Sequence, residues 1–440
     1  MSNMFFVLMW LIVSKGRGFK QDVGAWLPVA SKSALSHNTP NKVMIFNKDW
    51  VVWKSDDGLS NNWVVQLDQC IHRKAPLSQG RLVDRCIECP YHGWQYDKNG
   101  KVNKIPQHVD DSSVNIISNT VPTYVLNDLV WGFFPEKLCG ETSNILDTPE
   151  KTYGDLINQT NPFFVRELPY SFDILIENFM DPAHIPFAHH GLQGVRTDGS
   201  PIPMEKLTFN NTTLEVSFND TILNKSRQGV LSFNRPCGYH FKTKSLVTNK
   251  WKKNLQIYAV PVKNGRSRVL IQSPFKSKIL PLWLLHALNN RFLNTDAWLH
   301  IAEKNIDSKD VLSDYTLIES DKAVYYWRKW WQKYGFADAP QDSFSKAIFR
   351  NNDRLSWYQM TNIWEDHTKH CESCKKSLVF FKRILFISKY VLKIGVFLRS
   401  ITIIVISFVV NIVSSKIINI IKGEPHESAS AGRSTSAIKS

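Results

Sequence analysis

Cysteine is scarce in this chain, seven residues among 440. That is too few for a disulfide-stapled scaffold, and it fits a reducing compartment. Acidic residues are also in short supply, 39 Asp and Glu against 54 Lys and Arg, for a formal net charge of +15. The surplus does not mark a nucleic-acid binder, because residues 365–440 alone hold twelve basic and five acidic side chains, or +7, beside an apolar tail. Attraction to anionic lipid headgroups, about 1 kcal/mol per basic residue near the surface, accounts for that placement better than phosphate readout does. No internal repeat is present. The apolar run at residues 4–13 is ten residues long, too short to span a bilayer, and no small-residue cleavage site follows it, so a signal peptide is not expected. Residues 1–22 read as an apolar extension.

Where cysteine does occur, it comes with histidine. Cys70-Ile71-His72 is followed, after sixteen residues, by Cys89-Pro90-Tyr91-His92. Two thiolates and two imidazoles in mixed arms suit a Rieske-type 2Fe–2S cluster, in which two cysteines hold one iron and two histidines the other. Zinc is the rival, and Cys86-x2-Cys89 is itself a zinc-like pair. The usual zinc spacings, however, put Cys with Cys and His with His. Turn residues after each arm, Pro76 and Gly80, then Gly93 and the Asp97 to Gly100 turn, fit two loops pinching one cluster. Cys86 is then a spare, structural thiol.

Further along, Asn178-Phe179-Met180-Asp181-Pro182-Ala183-His184-Ile185-Pro186-Phe187-Ala188-His189 offers a second metal site. Two imidazoles and a carboxylate on one face of iron(II) leave positions open for dioxygen and substrate. On a regular helix a five-residue separation turns the second side chain by about 140°, so His184 and His189 face one ion only if the helix is distorted. Pro186 is expected to supply the distortion. Alone, the pair reads equally as hydrogen-bonded histidines; behind a Rieske motif it reads as metal ligands. For a third ligand, Asp296 stands at the head of an apolar, aromatic segment, with Glu303 and Asp307 as competitors further along.

Rieske arms of this spelling with N-x2-D-x2-H-x4-H resemble the α subunits of Rieske non-haem iron oxygenases, over most of the chain. The resemblance implies that Cys70, His72, Cys89 and His92 bind the cluster, and that His184, His189 and Asp296 bind a mononuclear iron. It implies that Asp181, with Asn178 in the same motif, forms the electron bridge between a Rieske histidine and an iron-ligating histidine across a subunit boundary. A homo-oligomer, expected to be a trimer, follows, as do a ferredoxin-type donor and O2.

A narrower resemblance lies further on. Residues 321–331 and His367-Thr368-Lys369-His370-Cys371-Glu372-Ser373-Cys374 are similar to segments of pheophorbide a oxygenase and its relatives. Those relatives include Rieske proteins associated with chloroplast protein import and cell-death-suppressor-like homologues. This implies monooxygenation of a membrane-associated, chlorophyll-derived tetrapyrrole, as in chlorophyll catabolism. Cys371 and Cys374 are open to three readings: a redox-active pair, a metal site with His367 and His370, or inert thiols.

Residues 378–421 are mostly Ile, Val, Leu and Phe. The run at 400–413 carries no charge and, with 417–421, approaches the ~20 residues needed to span hydrocarbon. Residues 378–398 carry Lys389 and Lys393, each expected to cost about 2.5–3.5 kcal/mol at a bilayer centre. That stretch reads as an interfacial helix or the first arm of a hairpin, so the anchor has one or two helices.

The fold class expected is α+β. A β-sandwich Rieske domain at 23–161 precedes a helix-grip domain at 162–340, a curved antiparallel sheet over helix that carries the iron. A C-x-x-C segment at 341–377, a membrane anchor at 378–421 and a disordered tail at 422–440 complete it. The expected location is a thylakoid or other photosynthetic membrane, with the soluble domains on the reducing side. The competing expectation is a redox-sensing or electron-transfer subunit of a translocon-like membrane complex, without oxygenase activity.

Overall fold

The computed structural model describes residues 23–55, 62–108, 116–135, 143–144, 148–153, 163–223, 225–245, 249–272, 280–306, 310–335 and 353–423. The apolar extension, Asp307 and nearly all of the expected tail lie outside the described residues. The chain forms two compact units, Met1–Lys276 with Leu299–Asn352, and Ser277–Trp298 with Asp353–Ser440.

The first unit begins with short strands. β1 (Val23–Ser31), β2 (Asn41–Ile45), β3 (Lys48–Lys54), β4 (Trp63–Leu67), β5 (Arg81–Val83), β6 (Cys86–Glu88), β7 (Gln95–Tyr96), β8 (Val102–Lys104), β9 (Thr120–Val121), β10 (Thr123–Leu126), β11 (Leu129–Pro135) and β12 (Ser143–Asn144) follow in order. They form three antiparallel sheets of four strands, β10-β11-β1-β12, β2-β3-β4-β9 and β5-β6-β7-β8. The apolar run across 43–53, which reads as one strand, is a hairpin. Phe46 and Asn47 both take positive φ, 54° and 57°, the backbone of a tight two-residue turn whose twist matches the flanking strands. The turn is held from outside, since Phe46 N donates to Pro261 O and Asn47 N to Val262 O, at 3.2 and 2.9 Å.

Beyond the short helix α1 (Pro149–Tyr153), β13 (Phe163–Leu168) opens the second part of this unit. β14 (Met204–Phe209), β15 (Thr213–Ile222), β16 (Lys225–Asn234), β17 (Gly238–Ser245), β18 (Trp251–Lys263) and β19 (Arg266–Gln272) complete a seven-stranded sheet ordered β13-β19-β18-β17-β16-β15-β14. Every ladder in it is antiparallel. Alternation of buried and open residues along β15 marks a sheet with one face covered.

Two helices supply the cover, α2 (Phe172–Phe179) and a later one, Lys322–Tyr334. Trp327 and Trp330 of the later helix pack edge-on against Phe233 of β16, and Trp327 Nε1 donates to Asp173 O of α2 at 3.0 Å. Between α2 and that helix lie α3 (Ile185–Ala188), α4 (Leu282–Asn294) and α5 (Leu299–Lys304), so Lys322–Tyr334 is α6. This is the expected helix-grip arrangement.

The second unit holds α4, the single-turn helices α7 (Trp357–Met360) and α8 (Ile363–Asp366), and two long helices, α9 (Glu372–Phe397) and α10 (Ile401–Lys422). α9 and α10 pack as a hairpin, with Gly395 at their closest approach: a Cβ there would lie 2.7 Å from Ile403 Cγ2. Ser388, Gly395, Ser407 and Ser414 are buried, a seven-residue spacing of small residues on each arm that lets backbones approach. Phe386, Phe397, Ile401, Val405 and Phe408 point outward and are exposed. Among the described residues, one helix, α10, is long and apolar enough to cross a membrane. Its 22 residues rise about 33 Å, against ~30 Å of hydrocarbon. The sequence division placed residues 277–298 in the catalytic domain, whereas contacts group them with the C-terminal segment, where Trp283 packs on Phe381 of α9.

Candidate metal centres

The two Cys-His arms are the same loop built twice. Cys70 N donates to Ala75 O and Lys74 N to Cys70 O; Cys89 N donates to Trp94 O and Gly93 N to Cys89 O. Each loop turns back at its fifth residue through a positive φ, Lys74 at 61° and Gly93 at 73°. Glycine takes that conformation freely, whereas lysine does so at a strain.

Together the loops expose one end of the site and bury the other. Cys70 and Cys89 are 1% and 2% exposed, whereas His72 is exposed and His92 half-buried. The imidazoles lie 4.6 Å apart between ring centroids, and Trp94 stacks flat on His72, 4.8 Å away at 6°. On the sulfur side, the buried Tyr96 hydroxyl lies 3.1 Å from Cys70 Sγ and receives the Ile71 N–H at 3.1 Å. Hydrogen bonds to cluster sulfurs tune reduction potential, so Tyr96, beside Cys70 Sγ, and Trp94, stacked on His72, are candidate functional residues that sequence reasoning missed. The signal was their place in the second arm, two and four residues past His92. Cys86 is buried, and burial pushes its thiol up, as fits a structural residue.

The second expected site lies where α2 ends. Asp181 precedes Pro182, which disfavours helix at the residue before it, and the chain re-enters helix for one turn only, α3. His184 caps the start of α3 and His189 its end. Pro186 is not the distorting element that the spacing suggests, because it sits in the first turn of α3, where proline is tolerated. The histidines converge because both lie outside the helix, with His189 turned out at φ −102°, ψ 29°.

Their Nε2 atoms are 3.2 Å apart. Two nitrogens ~2.1 Å from one ion are separated by roughly 3.0 Å at a right angle and 3.4 Å at a tetrahedral one. The pair therefore fits one metal. Burial, and secondarily His184, push the His189 imidazole down to about 3, leaving it neutral at physiological pH, the form that ligates metal. Asp181 Oδ2 lies 3.5 Å from His184 Nδ1, and Oδ1 accepts the Ala183 N–H at 2.8 Å. One carboxylate thus closes the turn and faces the histidine, as a residue fixing a ligand's tautomer does.

Asn178 is buried on the last turn of α2, where its carbonyl accepts the Asp181 N–H. Asp296 closes the end of α4, its N–H donating to Leu293 O, and is 2% exposed. Its competitor Glu303 serves α2, accepting the Ser171 N–H at 3.2 Å. An open cleft of about 450 Å³ beside α3 is lined in part by Pro182, Pro186 and Phe187.

α2 holds this loop in place through contacts that no sequence pattern announced. Arg328 of α6, 2% exposed, lies between Asp173 and Glu177: Nη1 reaches Asp173 Oδ2 at 2.6 Å and Nε donates to Glu177 Oε2. Burial opposes its charge, but Glu177 and Asp173 more than offset that and hold the guanidinium above its ordinary value. Tyr239 Oη donates to Phe179 O at 2.6 Å, fixing the end from which Asp181 departs.

A third cluster lies wholly in the second unit. His286 of α4 meets His367, Cys371 and Cys374 at the start of α9, all four buried. His370, a partner of the thiols in the metal-site reading, is exposed and stands apart from this group.

Residues 25–124 match the Rieske [2Fe-2S] domain family, and residues 233–311 match the pheophorbide a oxygenase family. The chain is 28% identical to protochlorophyllide-dependent translocon component 52 of Arabidopsis thaliana, over 80% of this chain and 72% of that protein. It is 28% identical to pheophorbide a oxygenase of Oryza sativa subsp. japonica over 82% and 74%. Against flavonoid 8-hydroxylase 2 of Ocimum basilicum the identity is 27% over 79% and 72%. In fold, a dicamba monooxygenase bound to 3,6-dichlorosalicylic acid superposes with a TM-score of 0.56 at 14% identity, covering 72% of this chain and 98% of that one. The chain is therefore a Rieske non-haem iron oxygenase. Within that class it carries a Rieske domain and a pheophorbide a oxygenase domain, with a relative named pheophorbide a oxygenase at 28% identity over most of the chain, and its cofactors are a 2Fe–2S cluster and a mononuclear iron.

Proposed function

We propose that this chain is a monooxygenase that uses O2 and electrons from a ferredoxin-type donor to oxidise a membrane-associated, chlorophyll-derived tetrapyrrole. The observation that carries the reading is the approach of His184 and His189 Nε2 to 3.2 Å in a chain that also carries two Rieske loops. A pure electron carrier has no use for a second metal site. Cys70, His72, Cys89 and His92 are assigned to the cluster, and His184, His189 and the buried Asp296 to the iron. Domain limits near 161 and 340 go with that assignment.

When bound, the cluster supplies single electrons and the iron activates dioxygen. The chain supplies the surroundings. Tyr96 aims a hydroxyl at a cluster thiolate, and Trp94 sets the plane of His72 on the exposed side. Asp181 orients His184, and burial keeps His189 unprotonated. The exposure of His72 and the partial exposure of Asp181 support their assignment as the two ends of an electron bridge between neighbouring subunits of a trimer.

The substrate class rests on what the relatives are named for and on the outward apolar face of α9 and α10, which suits a substrate dissolved in lipid. The relatives are chloroplastic proteins, and a plastid membrane is the proposed location, with the soluble part on the reducing side. The alternative, a redox-sensing or electron-transfer subunit, is supported by the translocon component among the relatives but leaves the His184–His189 pair without a role.

The test is anaerobic purification in detergent, iron analysis, and O2 uptake with reduced ferredoxin and a panel of pheophorbide, other tetrapyrroles and a flavonoid. About three irons per chain and a tetrapyrrole product heavier by one oxygen are expected. Two irons per chain would sink the oxygenase reading, and turnover of the flavonoid alone would overturn the substrate.

A further inference from the structure

A zinc ion of its own, separate from both iron centres, is what the geometry points to at His286, His367, Cys371 and Cys374. Their ligand atoms all lie within 4.8 Å of one another, and all four side chains are buried. His367 Nε2 is 3.3 Å from Cys374 Sγ, and His286 Nδ1 is 3.4 Å from both Cys371 Sγ and Cys374 Sγ. Zinc lies ~2.3 Å from sulfur and ~2.0–2.1 Å from nitrogen, so the sulfur-to-nitrogen edge of a tetrahedron around it is roughly 3.5 Å. The three edges come within about 0.3 Å of that figure.

The contrast with the Rieske loops identifies the occupant. Those loops also offer two thiols and two imidazoles, yet the quartet does not close to 4.8 Å among the described residues, as befits two irons with separate ligand pairs. Here each thiol neighbours an imidazole, and the four groups surround one point. A closed set of two sulfurs and two nitrogens with no open position is that of a structural zinc site, not a catalytic one.

Chain geometry supports the same reading. His367, Cys371 and Cys374 come from one bend and the first turn of α9, a short spacing that pre-arranges three ligands. His286 arrives from the middle of α4, far away in sequence. The ion therefore ties α4 to the base of the α9–α10 hairpin, where Leu378, Ile418 and Ile421 form a small apolar core around the thiols. Thr368 adds a second tie, donating its hydroxyl to Ile421 O at 2.6 Å. Such a centre contributes directly to folding.

The full chain, purified anaerobically in detergent with its tag removed and no chelator present, is to be analysed for zinc and iron together. One zinc per chain in addition to the iron is expected, falling at least tenfold in His286→Ala and in Cys374→Ser with the iron content unchanged. Zinc below a tenth of an equivalent in the unmutated protein, zinc retained by both variants, or a Cys371–Cys374 disulfide in the fresh protein would overturn the assignment. Should neither variant accumulate, protein grown with cobalt in place of zinc decides. Intense tetrahedral d–d bands with a thiolate-to-cobalt charge-transfer band, absent from zinc-grown protein, support the site; their absence overturns it.

Discussion

Replacing Arg328 by methionine tests how firmly α2 holds the iron-site loop. Arg328 is 2% exposed and lies between two carboxylates one helical turn apart, Asp173 and Glu177. Arg328→Met keeps much of the side chain's bulk but leaves both acids buried with no cation. Removing one partner from a buried ion pair costs about 3–5 kcal/mol. With a urea m-value near ~3 kcal/mol/M, the unfolding midpoint should fall by about 1–1.7 M, followed by fluorescence of Trp327 and Trp330. The deficit should be larger at pH 8 than at pH 5. Burial, ahead of the opposing Arg328, raises the Glu177 carboxyl above its ordinary value, so it takes up its proton more readily than a free carboxylate as pH falls and needs the cation less in acid. Because the C-terminal end of α2 runs into Asp181 and His184, mononuclear iron should be lost before the cluster. The triple variant Asp173→Asn, Glu177→Gln, Arg328→Met has no buried charge and should recover most of the midpoint. A single-variant shift below about 0.3 M, or a triple variant as unstable as the single, would refute the reasoning.

Three further outcomes are expected. Tyr96→Phe removes the hydroxyl beside Cys70 Sγ; a lost hydrogen bond of about 0.5–1.5 kcal/mol corresponds to roughly 20–65 mV for one electron. The cluster potential should drop by that much in an EPR-monitored titration, and an unchanged potential would count against the contact. His184→Ala should lose the mononuclear iron alone, from about three irons per chain to about two, with the cluster's EPR signal intact. In metal-free protein, His189 binds a proton when unfolded, near ~6.5, but in the folded chain only near about 3. Its contribution to stability is therefore full above the unfolded value and is lost as pH falls toward the folded one. Between pH 7 and pH 5 the metal-free wild type should lose more stability than His189→Gln, and parallel pH profiles would exclude this histidine as the cause.

What could be read from the sequence is what the chain places within a few residues. The Cys-His arms were legible because each is one short loop. The hairpin at Phe46 and Asn47 was not, because its left-handed turn uses no glycine. The convergence of His184 and His189 was legible but its cause was not, since Pro186 drew attention from the chain's exit from helix at both ends of α3. His286 and Arg328 were out of reach. Each meets its partners across long stretches of sequence, and neither carries a local pattern. His370, three residues after His367 and one before Cys371, was the natural guess for the place that His286 takes.

On the proposed assignment of Cys70, His72, Cys89 and His92 to the cluster, the duplicated hydrogen-bond pattern at Cys70 and Cys89 makes its seat two half-sites written into one chain. Each half presents one thiol inward and one imidazole outward, and neither half alone can complete the coordination of either iron. Assembly is then a meeting of equals: iron and sulfide can be retained only once both loops have folded and faced each other. Damage to one arm should release the whole cluster, leaving no half-filled seat behind.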